Sequence, residues 1–407
     1  MLASSGRAAA ARLNNTTGLL LLLSAAHAVT HAFGGLMPLV FPTVAVEFNL
    51  TYTDIGLLVG VTTFAGGMMQ MVYGVLGRYA RRKVILAAGQ CVVGVSCLVT
   101  GLANGFAMLF LGNLGARVGA SPQHPVGNSL LAERFPISKR GSALSLHVVG
   151  GNIGTVAVPV LGVLLLSTIG WRATVFALAA PAFLLSVALV AFIQEPRQLA
   201  GAAHRAAAPT RAVLRQVLSS RTILLIVLAS VIGAAGRGLG ALNTYLPLYL
   251  SRNLGIAPTT INILYACLLI GGVIGPLVLG RLSDQMGRRP VLYITYAGAA
   301  AFMLVFLGAG AAAPVFIGLL LFSQGLFSHS DSVILTTYLA DVATPEQRDV
   351  AFSVFFTVAF GVGSLWPTAL GFIADNYGLV ATFVALSITY LAAGLLLLPI
   401  RDKKQTA

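Results

Sequence analysis

The chain has 407 residues, of which 57% are hydrophobic and 9% are charged, and its formal net charge is +14. A soluble domain carries roughly 25% charged residues, so this composition excludes an ordinary soluble protein. The positive charge lies in short segments between long apolar stretches, which is typical of membrane topology, and we therefore exclude nucleic acid as a partner.

Apolar stretches of about 20 residues, long enough to cross a bilayer as a helix, recur along the whole chain. The first stretch is too long for a cleaved signal peptide and eleven more follow it. The sequence therefore predicts an all-α integral membrane protein with twelve transmembrane helices, called spans 1 to 12 here. They occupy 18–46, 55–77, 84–103, 107–130, 142–166, 171–193, 222–250, 258–280, 290–308, 314–338, 348–372 and 378–400.

Residues 194–221 form the long polar segment of the chain, which is rich in alanine and arginine. We predict that this segment is a cytoplasmic linker between an N-terminal six-helix bundle, 1–193, and a C-terminal one, 222–407. Part of the linker either lies as a helix on the membrane surface or forms a flexible tether.

The lysines and arginines predict the orientation of the chain. With both termini in the cytoplasm, all but four of the 25 fall on cytoplasmic segments. Such an excess of positive charge is typical of cytoplasmic loops, and it also favours contact with anionic lipids. The four exceptions are Arg117, Arg172, Arg237 and Arg252.

Two loops between spans have similar sequences. Residues Gly74–Lys83 read GVLGRYARRK, and residues Gly280–Arg289 read GRLSDQMGRR. Further matches occur at a constant offset of 208 residues. Two related halves in a very apolar chain predict a transporter built from repeats. The matches at this offset pair Arg140 with Arg348, Ser145 with Ser353, Pro159 with Pro367, and Ala173-Thr174 with Ala381-Thr382.

The second loop fits the pattern G-x-L-x-D-x-x-G-R-R/K, and it resembles the loop that joins helices 2 and 3 in the major facilitator superfamily. This resemblance implies two six-helix bundles with inverted 3+3 repeats within each half, and a monomeric carrier. It also implies that spans 1, 4, 7 and 10 line a cavity near the bilayer midplane, about which the bundles rock.

Three other spans resemble one branch of that superfamily. Span 5 reads Gly150-Gly151-Asn152-Ile153-Gly154 before Pro159, similar to the helix-5 motif of proton-coupled antiporters. Span 4 contains His124-Pro125, and Arg237 precedes the sequence TYLPLYL in span 7. Together these residues resemble the fosmidomycin-resistance branch, and they imply export. That branch commonly has an acidic residue where this chain has His31, so an acidic proton carrier is missing from span 1.

The repeated loops supply candidate gating residues. Asp284 lies near the start of the next helix or pairs with a facing basic residue, and either interaction would hold the cytoplasmic side closed in one state. The first loop has Arg78 where the acid belongs and Arg81 where the glycine belongs, which puts such a latch in doubt there. The alternative is that the basic residues only anchor the spans at the membrane surface. The candidate gating residues are Arg82, Lys83, Asp284, Arg288 and Arg289.

Few ionisable residues lie at membrane depth, where a charge costs roughly 2.5–3.5 kcal/mol and needs a cavity or a partner. His27 and His31 are four residues apart and share one helix face. They either share a proton or bind an oxygen-rich substrate, or they are core histidines with backbone and hydroxyl partners. The full set is His27, His31, Arg117, His124, His147, Arg237, His329 and Asp331.

Arg237 and Asp331 carry the charges expected in spans 7 and 10. A guanidinium suits a phosphonate, phosphate or carboxylate, so Arg237 is either a substrate anchor or an ion-pair partner of Asp331. Asp331 is the one acidic candidate for a proton carrier. No spacing indicates a metal site, because a third ligand beside His27 and His31 would have to come from His124 or Asp331 through folding.

We therefore predict a secondary active transporter of the bacterial inner membrane, without a cofactor or metal, driven by the proton gradient. Proton-coupled efflux of a small anionic or polar compound is favoured over an uptake symporter, exchanger or facilitator for an organic anion such as a carboxylate. An enzyme is not predicted, because HExxH, nucleophile-elbow and P-loop motifs are missing. The candidates for substrate binding or proton coupling are His27, His31, His124, Arg237, Asp331, His329, Asn152 and Tyr245.

Overall fold

The computed structural model describes residues 16–77, 79–194, 211–236, 240–310, 312–344 and 346–400. Arg237 and most of the predicted linker lie outside the described residues. The described chain is helical with short connections. In chain order the first helices are α1 (Thr16–Glu47), α2 (Tyr52–Leu76), α3 (Arg82–Gly101), α4 (Phe106–Ala120), α5 (Pro125–Arg134), α6 (Ile137–Thr168) and α7 (Gly170–Phe192).

The later helices follow the central segment. A short helix, α8 (Arg211–Ser219), comes before the spans of the second half. The remaining helices are α9 (Arg221–Gly233), α10 (Ala241–Arg252), α11 (Pro258–Met286), α12 (Arg288–Ala309), α13 (Pro314–Ser328), α14 (Asp331–Val342), α15 (Arg348–Gly363) and α16 (Trp366–Leu396).

Within the described residues, nine helical runs are long and apolar enough to cross a membrane. Spans 4 and 10 are not among the nine because each is divided into two helices, and spans 11 and 12 count as one run, Val350–Leu396. Inside that run Gly378 has φ 82° and ψ 166°, a left-handed conformation that glycine adopts without a Cβ clash and that separates the two spans.

The interruption of span 4 follows from two prolines. Pro122 and Pro125 lack the N–H group that a continuous helix needs, so the chain forms a 3-10 turn over Ser121–Gln123 before α5 begins. The Ser121 hydroxyl lies 2.7 Å from Arg117 O and 2.8 Å from Gly66 O. It therefore donates to backbone carbonyls next to the break. Polar groups are thus concentrated in the middle of this span.

The interruption of span 10 occurs without a proline. α13 ends at Ser328 and α14 begins at Asp331, and no proline lies between them. Ser330 Oγ donates to Leu326 O at 2.6 Å, so a serine hydroxyl competes with the backbone for this carbonyl. His329 and Asp331 are therefore at the break itself, as Gln123 and His124 are in span 4.

The chain forms two compact units. Of the described residues, those in 16–48 and 61–194 belong to the first unit, and those in 49–60 and 211–400 belong to the second. In the first unit α3 packs against α4 and α7, and in the second unit α12 packs against α13 and α16. These are corresponding helices of the two halves, as a repeated architecture requires.

The start of α2 packs with the second unit. Asp375 on α16 accepts hydrogen bonds from Tyr52 N and Thr53 N, both at 2.8 Å, so a carboxylate satisfies free N–H groups at the helix start. Gly56 lets α2 and α16 approach closely, since a Cβ there would overlap the carbonyl of Pro367 on α16. Tyr245 donates to Pro367 O at 2.6 Å.

The helix α8 is the described part of the predicted linker. Val217 is buried against the rest of the second unit, whereas Leu214 and Leu218 are exposed. Four residues of the helix are polar and include Arg211 and Arg215. Its position on the membrane surface stays a prediction.

Candidate functional site

Four histidines of the first unit meet at one place. The ring centroid of His27 lies 4.4 Å from that of His31, 4.9 Å from that of His124 and 4.4 Å from that of His147. His27 and His31 are on α1, His124 lies in the break of span 4, and His147 is on α6. We call these four residues the histidine cluster; His27 and His147 are fully buried in it.

Two ring nitrogens of the cluster have defined partners. His27 Nδ1 lies 3.0 Å from His147 O, and a carbonyl only accepts, so Nδ1 carries the proton and Nε2 keeps its lone pair. His31 Nδ1 lies 3.1 Å from Thr155 Oγ1, whose hydroxyl points to Gly151 O at 3.4 Å. The Thr155 hydroxyl can accept as well as donate, so this contact is compatible with a proton on His31 Nδ1 and a lone pair on its Nε2.

The glycines of span 5 make room for the cluster. A Cβ at Gly151 would lie 2.8 Å from His27 Cε1, and a Cβ at Gly150 would lie 2.7 Å from Ser24 Cβ. A Cβ at Gly154 would overlap the carbonyl of Ala28. The glycine motif thus allows α6 to pack directly on the α1 face that carries the histidines.

Arg117 lies on α4, one turn before the break in span 4. It packs against α2, since a Cβ at Gly66 would lie 3.2 Å from Arg117 Cβ. Among the described residues, no acidic side chain forms a salt bridge with its guanidinium. An arginine at membrane depth without a carboxylate partner is able to bind an anion.

The second unit contains the buried acid. Asp331 is 2% exposed, and among the acidic residues whose burial the structure describes it alone is buried. Tyr296 on α12 donates to Asp331 Oδ2 at 3.3 Å. On α9, a Cβ at Gly233 would lie 2.9 Å from the same oxygen. His329 lies two residues earlier, with its Nδ1 3.0 Å from Ser328 Oγ.

The other candidate residues are in different places. Asn152 is half-buried on α6. Tyr245 is buried on α10, where its hydroxyl bonds to backbone carbonyls and packs α10 against α16. Arg237, predicted as a substrate anchor, lies outside the described residues.

The second repeated loop forms a compact ion-pair network. Arg288 at the start of α12 binds Asp284 on α11, and its Nε donates to Asp341 Oδ2 at 3.0 Å. Its Nη1 also donates to Ser283 Oγ at 2.8 Å. Gly287 has φ 93°, which accounts for a glycine in this loop.

The first loop achieves a similar contact without the acid of the motif. Arg82 Nη1 lies 2.6 Å from Glu133 Oε2 on α5. Arg81 has φ −63° and ψ 121°, an ordinary extended conformation, so this turn does not require a glycine. Lys83 Nζ donates to Val190 O at 3.1 Å, and the equivalent Arg289 donates to Leu398 O at 3.3 Å.

Comparison with known proteins decides the family. The family profile described as Major Facilitator Superfamily matches residues 22–250 and 232–407. The chain belongs to the major facilitator superfamily. The predicted family and fold class are thereby confirmed, and membership of a transporter family supports the prediction that the chain is not an enzyme.

Similar members of the superfamily carry transport and resistance names. The fosmidomycin resistance protein of Escherichia coli is 24% identical over 91% of this chain and 89% of its own length. The multi-drug resistance efflux pump PmrA of Streptococcus pneumoniae is 28% identical over 82% of each chain. The cis,cis-muconate transport protein of Acinetobacter baylyi is 23% identical over 87% of this chain and 86% of its own.

A solved structure shows the same fold. The crystal structure of the nucleoside transporter NupG matches with a TM-score of 0.78 at 14% identity, over 95% of this chain and all of that one. At this identity the likeness concerns the fold alone.

Three residues that contact the candidate gating and site residues were not predicted from the sequence. Glu133 and Asp341 are the acidic partners of Arg82 and Arg288, and they are separated by the same 208 residues that relate the two halves. That offset would have identified them. Thr155, the hydrogen-bond partner of His31, has no comparable signal, because only the packing of α6 on α1 brings it there.

Proposed function

We propose that this superfamily member exports a small polar or anionic compound across the bacterial inner membrane by exchange with protons. Export is supported by the efflux pump among its relatives and by the glycine motif of span 5. The observation that carries proton coupling is Asp331, an acid 2% exposed at the break of span 10.

A carboxyl group inside a span suits this role because it can hold a proton, and alternating access would open the break of span 10 to one side of the membrane at a time. Tyr296 on α12 donates a hydrogen bond to the Asp331 carboxylate. On α9, the uncharged Gly233 lies beside the same carboxylate. His329 is the titratable neighbour along the chain, and Arg237 of span 7, which lies outside the described residues, is either an ion-pair partner of Asp331 or a substrate anchor.

Hydrogen-bonding groups for the solute are supplied by the first unit. The histidine cluster offers imidazole groups, and Arg117 offers a cationic donor one turn before the break in span 4 that contains His124. Neutral imidazoles hydrogen-bond to hydroxyl, carbonyl or phosphonate oxygens, and a guanidinium selects anions. A small oxygen-rich anion therefore fits these groups better than a cationic drug.

The test uses purified protein in liposomes that trap a pH-sensitive dye. A panel of phosphonates, carboxylates and cationic drugs is added, and we expect an anionic member to drive proton movement. Asp331→Asn should abolish proton movement while substrate exchange between equal pools continues. Glu346→Gln, an exposed loop acid, is the control and should behave as the parent. Normal proton coupling in Asp331→Asn would disprove the role of Asp331.

A facilitator or exchanger for an organic anion is the second candidate. It is favoured by Arg117, which has no acidic partner among the described residues, and by a relative named for cis,cis-muconate transport. Carboxylate transport without proton movement in the same liposomes would support this candidate over export by proton exchange.

A further inference from the structure

We propose that three members of the histidine cluster, His27, His31 and His124, form a binding site for a divalent transition-metal ion, with Zn²⁺ as the representative ion. One ring nitrogen from each of these residues lies within 4.8 Å of the other two. The residues come from α1 and from the break in span 4, so only the folded first unit brings them together.

The tautomers inferred from hydrogen bonding suit metal coordination. His27 donates through Nδ1 to the carbonyl of His147, and His31 Nδ1 lies 3.1 Å from Thr155 Oγ1, a hydroxyl that can accept its proton. Metal-binding histidines almost always use one ring nitrogen in this way, which fixes the ring and raises the basicity of the other nitrogen. Two ligands of the proposed site already have their outer partners.

The burial of His27 also favours a bound metal ion. His27 is 1% exposed, and its Nε2 has no hydrogen-bond partner among the described residues. A buried acceptor of this kind is unfavourable unless something binds to it. A metal ion held between the three rings would bind this nitrogen directly.

The geometry requires only small ring movements. Ligands about 2.1 Å from a tetrahedral Zn²⁺ lie about 3.4 Å apart, so nitrogens within 4.8 Å reach the ion by side-chain rotation. Three imidazoles leave a fourth position for water or a solute oxygen. Imidazole suits Zn²⁺, Cu²⁺ and Ni²⁺, whereas Mg²⁺ prefers oxygen ligands, so Mg²⁺ should not bind.

The test measures Zn²⁺ binding to the purified full chain in detergent, without a polyhistidine tag, by calorimetry and by the rise in melting temperature. We expect one Zn²⁺ per chain and no response to Mg²⁺. His27→Gln and His31→Gln should lose this binding. His329→Gln, which removes a histidine of the second unit, is the matched control and should bind as the parent.

A further variant separates metal binding from folding. Thr155→Val removes no ligand, but it removes the partner of His31 Nδ1, and such losses weaken metal binding by about 10- to 100-fold. Each variant is first shown to elute as a single species. A parent chain that binds no Zn²⁺, or His27→Gln and His31→Gln variants with the parent's affinity, would overturn the proposal. This readout does not depend on transport, so it stands or fails apart from the proposed function.

Discussion

Single glycines control how closely α1 and α6 approach, and with it the position of His27. The carbonyl of Ala28 occupies the space that a Cβ at Gly154 would need, and the ring of His27 lies over Gly151. Because backbone atoms cannot move aside as a flexible side chain can, position 154 tolerates a methyl group poorly.

Gly154→Ala should therefore lower the free energy of unfolding by about 1–3 kcal/mol, the usual cost of overpacking. Gly141→Ala is a matched control on the same helix, because no atom lies within 4 Å of its added Cβ. That control should be neutral or up to about 1 kcal/mol more stable, since alanine favours helix. The measurement is the denaturation midpoint in mild detergent, and equal midpoints for the two variants would contradict the packing.

At the scale of elements, the two halves use one ion pair in equivalent positions. Arg82 with Glu133 joins α3 to α5, and Arg288 with Asp341 joins α12 to α14. The first half keeps this pair although its loop has lost the acid of the motif. An ion pair from the loop arginine to α5 or α14 is therefore common to both halves. In the second half, Asp284 gives Arg288 a second acidic partner.

A double-mutant cycle with Arg288→Gln and Asp341→Asn should give a coupling energy of about 0.2–1 kcal/mol. The value is small because the Asp341 side chain is 51% exposed and water screens the pair. Coupling should fall further at high salt. Arg281→Gln on α11, which lies outside the network, should show no coupling with Asp341→Asn; equal coupling for both arginines would exclude a specific pair.

At the scale of the whole molecule, the distribution of charge predicts which loops face the cytoplasm. Asn104, between α3 and α4, should face outward, and Ser219, at the end of α8, should face the cytoplasm. Both residues are exposed, so a cysteine at either position can react with a maleimide.

In a chain with its three native cysteines replaced, Asn104→Cys should react with a membrane-impermeant maleimide on intact cells. Ser219→Cys should react only after the cells are permeabilised, and it serves as the opposite-side control. The measurement is the labelled fraction of purified protein. Reversed labelling would show that the chain has the inverted topology.

The repeated loops, the apolar spans and the glycine motif were enough to identify the superfamily and its fold. The length of an apolar span and the positions of glycine and proline depend only on residues that are adjacent in the sequence. The breaks of spans 4 and 10 were not predicted, because both stretches are apolar enough to read as continuous spans. Pro122 and Pro125 account for the first break, and Ser330 Oγ bonds to the backbone at the second.

The site was partly readable from the same sequence. The pairing of His27 with His31 followed from their spacing on one helix, and Asp331 stood out as the acid within a span. Only the tertiary structure brought His124 and His147 to that pair and gave His31 its partner Thr155. Such contacts join residues about 100 positions apart, and they depend on how closely helices pack, which no local pattern records.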